Sequence, residues 1–218
     1  MKKINIIDAV AYFFASDSAG DQRGIYHPEI IKVHLNSVFN RAVYDTYQNG
    51  LKSSDYSQLD AWCKIYECAV TGQVAPGTTG YALLPFAPSQ LPNNMGVRQV
   101  CDHNNNGNVF APVENTSAVI FAELDVNTMD STPTYNVQRS NVNVGAGEAS
   151  TILRLSKLPI TSLITALDVM MVVPLDQLDD FDEIAMPSAM EDDIIRQVID
   201  LMGKRIPVPN LPSNVVNS

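Results

Sequence analysis

A chain of 218 residues of which 45% are hydrophobic can bury a core, so disorder along its whole length is excluded. Charged residues reach only 17%, below the roughly 25% of an average soluble domain, which leaves a surface rich in uncharged polar groups. The 24 acids and 14 bases give a net charge of -10, which argues against a general duplex-binding face, because neutralising phosphates needs bases.

Three amphipathic helices are expected first. Ile6, Ile7, Val10, Phe13 and Phe14 recur at helical spacing, and the small polar residues 16–20 end that stripe. In the second helix Pro28 supplies a fixed φ at the first helical position, and Glu29 sits at the positive end of the dipole. Its stripe is Ile31, Leu35, Val38, Phe39, Ala42 and Val43, with Gly50 as a left-handed stop. Asp55 and Gln58 have the spacing of a reciprocal cap. They predict a third helix with Leu59, Trp62, Cys63, Tyr66, Ala69 and Val70 on one face, ending at Gly72.

From Thr71 onward glycine and proline break any helical period, and short β-branched and aromatic runs predict antiparallel strands at 81–86, 97–101, 118–126, 135–144 and 152–155. Residues 167–173 are apolar enough for a central strand, closed by Pro174. The last helix has a Ser188/Glu191 capping box, Asp192 and Asp193 in its first turn, and Ile194, Ile195, Val198, Leu201 and Met202 as its stripe, with Gly203 as its stop. Three prolines at 207, 209 and 212 then favour an extended arm. The fold class is therefore α+β: a helical part at 1–72, a β-rich part at 73–187, a helix at 188–205 and an arm at 206–218. No run of about 18 apolar residues can span a bilayer, and residues 4–15 contain Asp8 and lack a signal-type cleavage site, so the expectation is a soluble protein made in the cytoplasm.

Charge is unevenly distributed. Residues 111–218 hold fifteen acids and six bases, and residues 174–193 alone hold eight acids and no base. Such a run is either a solvated face or a surface that lines a channel or meets a basic partner; negative walls around a DNA conduit would keep the duplex from sticking.

Site chemistry is sparse. Asp102-His103-Asn104-Asn105-Asn106-Gly107 matches the first half of a calcium loop, but its twelfth position is Val113, so an Asn-Gly turn is the better reading. On a helix Cys63 and Cys68 would lie about 140° apart and could not share a metal. Cys101 and His103 fall on one strand face without a second ligand pair; three cysteines also exclude a fully paired disulfide framework. His27 and His34 read as structural, Gly145 and Gly147 as a hairpin turn, and the Asn115 sequon carries little weight without a secretion signal. The carboxylates between Asp179 and Glu183 lack an aromatic substrate platform, which leaves a hydrolase reading weak. No residue is assigned as catalytic, cofactor-binding or metal-ligating, and no cofactor is expected.

Gln22-Arg23-Gly24-Ile25-Tyr26-His27-Pro28-Glu29, the helix end Tyr47-Gln48-Asn49-Gly50 and the pair Leu84-Pro85 together resemble the head-to-tail connector ring proteins of tailed bacteriophages, crAss-like phages in particular. Phe181-Asp182-Glu183-Ile184-Ala185-Met186-Pro187 and the helix after it extend the resemblance, which covers about 70 of 218 residues at the two ends. It implies a non-enzymatic structural protein of the virion neck, made in the host cytoplasm and assembled as a homo-oligomeric ring. Its partners would be the portal and other neck or tail proteins. Genomic DNA would pass through without sequence-specific binding, and no membrane would be involved. A low-charge polar surface and the arm at 206–218 suit heterologous contacts between neighbours. The alternative is a tail-associated or surface carbohydrate-binding module built on Asn104 to Asn108.

Overall fold

The computed structural model describes residues 1–17, 27–113, 132–140, 150–158 and 162–204. The strand expected at 118–126, the far half of 135–144, the Gly145/Gly147 turn, the Asn115 sequon and the arm at 206–218 lie outside them.

Two long helices open the chain. Helix α1 (Lys3–Asp17) buries Ile6, Ile7, Val10 and Phe14, the expected stripe apart from Phe13. Helix α2 (Pro28–Ser53) buries the expected six residues together with Tyr47 and Gly50. Its entry falls where the sequence predicts, with Pro28 in the first turn, and His27, expected only to be structural, turns out to cap it by accepting a hydrogen bond from the Glu29 N–H. Its exit differs from the expectation. Gly50 remains helical, and Ser54, at φ 56°, is the left-handed residue. Gly50 is instead a packing glycine, because a Cβ there would sit 2.7 Å from the Tyr56 ring.

The third helix is one turn long. Asp55 does accept from the Ser57 N–H at 2.9 Å, but α3 spans only Ser57–Asp60, and Lys64–Thr71 is strand β1. Within Lys64–Thr71, Tyr66 and Val70 of the expected stripe share a face at either period, whereas Ala69 falls on the exposed face of the strand. Six residue pairs between β1 and the last strand decide the matter, because tertiary pairing of β-branched and aromatic residues outweighs a weak local propensity.

The remaining strands are β2 (Gly80–Leu83), β3 (Val97–Asp102), β4 (Asn105–Val109), β5 (Ala111–Pro112), β6 (Thr134–Ser140), β7 (Ser150–Ser156) and β8 (Ala166–Met171). All eight join one sheet in the order β4-β3-β8-β1-β2-β7-β6-β5, antiparallel except for β5 against β6. Strand β1 is the seam: Lys64 to Ala69 pair with β8, whereas Val70 and Thr71 pair with β2. Strand β8 alternates as a one-sided strand should, with Leu167, Val169 and Met171 buried. Gly96 permits a close crossing, since a Cβ there would collide with the Ser89 carbonyl.

The C-terminal helix α4 (Glu191–Lys204) packs on α1 and α2 through Ile194, Val198 and Met202. Its start and stop differ from the expectation. Ser188 opens a 3-10 turn (Ser188–Met190) before the helix begins, and Gly203 lies inside the final turn, with no neighbour close enough to penalise or require it. The fold is α+β: three mutually packed helices from the two ends of the chain over an antiparallel-dominated sheet, with one continuous apolar core. Among the described residues no helix is long and apolar enough to cross a membrane.

Trp62 sits between helix and sheet, 2% exposed and edge-on to Phe39 with 5.3 Å between ring centroids. Trp62→Ala is expected to lower unfolding stability by about 3–5 kcal/mol in urea titrations. A change below about 1 kcal/mol would mean that the ring is not part of the core.

Candidate functional site

The acidic segment after Pro174 is held by the first residues of the chain. Met1 to Lys3 run antiparallel beside Asp182 to Ile184, with Lys2 bridging to Glu183. The Lys3 N–H donates to the Asp182 carbonyl at 3.1 Å, the Ile4 N–H to that of Asp180 at 2.7 Å, and the Ile184 N–H to that of Met1 at 2.9 Å. The first N–H groups of a helix have no partner within it, and here two neighbouring carbonyls serve α1.

Lys3 completes the clamp. Its side chain is only 8% exposed, and its ammonium donates to the Leu175 and Leu178 carbonyls, both at 2.8 Å, with the Asp180 carboxylate at 3.8 Å. Lys32, on the second turn of α2, reaches the other oxygen of Asp180 at 2.7 Å and Glu29 at 3.0 Å. The amino terminus lies 3.7 Å from Glu191. The run that carries no base of its own is thus met by three cations from the first 32 residues. The hydrogen bond from Lys32 holds the Asp180 carboxyl below the usual carboxylate range, and the same bond raises Lys32. A depressed carboxyl is the opposite of what a glycosidase acid needs.

Beside the clamp runs an open groove of about 680 Å³ between α2 and residues 175–182. Val33 and Phe181 line it and remain 68% and 74% exposed. The loop before β3 is tied to the same region, since the Gln177 amide accepts from the Ala87 N–H at 2.6 Å and donates to the Ala87 carbonyl at 3.1 Å.

The asparagine-rich loop is a β3–β4 hairpin. Asp102 accepts from the Asn104 N–H at 3.0 Å, Asn105 from the Gly107 N–H at 3.3 Å, and the Asn104 amide donates to Thr165 at 3.2 Å. One of the oxygens a calcium ion would need, that of Asp102, therefore shapes the turn, together with the non-ligand Asn105, as an Asn-Gly reading requires. Among the described residues no group of three or more His, Cys, Asp or Glu is placed to hold a metal.

Cys63 and Cys68 do not lie on one helix as expected. Cys63 precedes β1 and is half-buried, while Cys68 is buried within the strand. Burial pushes their thiols up to about 12 and about 11, so neither is a nucleophile at neutral pH. Cys101 lies on β3 and His103 in the turn just after it, and both reach Asp168 on β8. The Cys101 thiol lies 3.8 Å from the Asp168 carbonyl, and His103 Nδ1 is 2.8 Å from its carboxylate. That contact raises His103 above an ordinary histidine, whereas burial raises Cys101, so the thiol is not activated.

Several of the residues that carry the resemblance are structural in this fold. Gln22 to Tyr26 lie outside the described residues, His27 caps α2, Tyr47 stacks on Tyr56 at 5.8 Å, and residues 182–184 form one side of the clamp. Sequence reasoning missed Lys3, which looks like an ordinary solvated base. The usable signal was the acidic run without a base, which calls for cations from elsewhere in the chain. Compared with known proteins, the chain matches no family model and no curated sequence.

Two measurements follow from this geometry. Lys3→Met leaves the Leu175 and Leu178 carbonyls without their buried donor and is expected to cost about 3 kcal/mol; a neutral result in denaturant titration would contradict the clamp. The His103 pair stabilises the fold fully below the unfolded histidine pKa of about 6.5, and that contribution fades as pH rises through the higher folded value. An NMR titration is expected to find His103 above about 6.5 and Asp168→Asn to return it to the ordinary range; equal midpoints in the two proteins would contradict the pairing.

Proposed function

We propose that this chain is a structural subunit of a phage head-to-tail connector, assembling with copies of itself into a ring along the path of the genome. The sequence resemblance supplies the biological setting. The observation that carries self-assembly is the distribution of exposed large apolar side chains. Tyr12 on α1 is 76% exposed, Val33 on α2 68%, Ile65 on β1 62%, and Val74 beyond β1 86%. Single exposed apolar residues are ordinary. Several on different elements, in a surface poor in charge, suit the two dissimilar contact faces that a heterologous ring needs.

The net charge of -10 fits a conduit that DNA passes without adhering. The carbohydrate-module reading draws less support, because Asn104 and Asn105 already spend side-chain groups on Thr165 and Gly107. A hydrolase reading is weakened by Asp180, whose carboxyl is held ionised by Lys32.

Negative-stain images and mass photometry of the purified full chain, alone and with portal and neck partners, test the proposal. Closed rings of uniform size are expected. A particle that remains monomeric under all these conditions would contradict it, as would turnover of a glycan substrate.

A further inference from the structure

We infer that the groove between α2 and the clamp is the receptor for the C-terminal arm of a second copy of this chain, with Lys204 and Arg205 meeting the acidic rim and Ile206 and Val208 covering Val33 and Phe181. The inference rests on the self-assembly reading and names its contact.

Charge complementarity is the first argument. Five acids and two bases line the groove. Lys3 is directed at backbone carbonyls, and Lys32 is engaged by Asp180 and Glu29. Asp176, Asp179 and Asp182, the last accepting only from the Asp179 N–H among the described residues, are left to set the field beside the exposed Phe181 ring. The occupant therefore has to be cationic at one end and apolar next to it. From the last residue of α4 onward this chain carries such a segment, Lys204-Arg205-Ile206-Pro207-Val208-Pro209, of which 205–209 lie outside the described residues. Alternating prolines lower the entropy lost when an extended segment docks in a groove.

Reach is the second argument, and it favours a second copy. Glu191, at the start of α4, is beside Met1 and hence beside the groove. The 14 residues of α4 rise about 20 Å, so Lys204 stands at the far end of the helix from that contact. An extended chain covers about 3.1 Å per residue, so an arm turning back would use roughly six or seven residues on the return. The basic pair and Ile206 would then be spent before arrival. In a neighbouring copy no return is needed, and a contact of one subunit's arm with a different surface of the next is the heterologous kind that closes rings.

A charge swap in the full chain tests this by sedimentation velocity. Lys204→Glu with Arg205→Glu, and separately Asp176→Lys with Asp179→Lys, are each expected to weaken association at least tenfold. All four changes together are expected to restore it to within about threefold of the wild type. Phe181→Ser, at a side chain exposed enough to leave the fold intact, is expected to weaken association without altering the thermal transition, and it keeps the test decisive if the Asp176/Asp179 variant fails to fold. Wild-type assembly that none of these changes weakens, or a four-fold variant that stays dissociated while folded, overturns the groove contact and leaves self-assembly standing. A wild-type chain that never associates overturns both.

Discussion

Burying a lysine ammonium is costly unless its hydrogen bonds are met, and the architecture around Lys3 is arranged to meet them. Two carbonyls at 2.8 Å and a carboxylate at 3.8 Å fix residues 175–180 against the start of α1. The same strand-like contact of Met1 to Lys3 with Asp182 to Ile184 supplies acceptors to the helix end. Because Asp180 is shared between Lys3 and Lys32, α1 and α2 are tied through one acid, and Glu191 adds the start of α4 to the same knot. Three helices from opposite ends of the chain are thereby set at one corner of the molecule.

That corner gives the acidic run a structural role that a count of charges does not suggest. Part of the run is neutralised internally, and the remainder is displayed around a groove with an aromatic ring at its edge. Since the clamp consumes the bases nearby, the groove stays acidic however closely the helices pack. Positioning and charge thus come from the same few residues, and in the proposed ring that is what would make contacts between neighbours specific. That specificity would be one of assembly geometry, which depends on complementary surfaces in fixed orientation.

Much of this fold could be read from residue patterns. The entry of α2 was legible because Pro28 and Glu29 act locally, and the stripes of α1, α2 and α4 were legible because burial follows the 3.6 period. Residues 64–71 were not: Tyr66 and Val70, four apart, share a face at helical and strand spacing alike, and the choice is made by β8, about a hundred residues later. Gly50 was misjudged because its packing against Tyr56 cannot be seen in a local turn signal. The candidate site was the least legible part, because Lys3 and Asp180 are distant in sequence and acquire meaning only when the chain ends meet. Asp168 escaped notice for the same reason, since strand pairing is what brings it to His103.

Hydrogen exchange of the unmodified chain, compared between dilute and concentrated samples, tests the central claim most directly. The account predicts that assembly slows exchange together at residues 29–33, at 176–182 and at 204–208, with the sheet amides unchanged. Assembly that protects other surfaces and leaves these three segments at their dilute rates would contradict it.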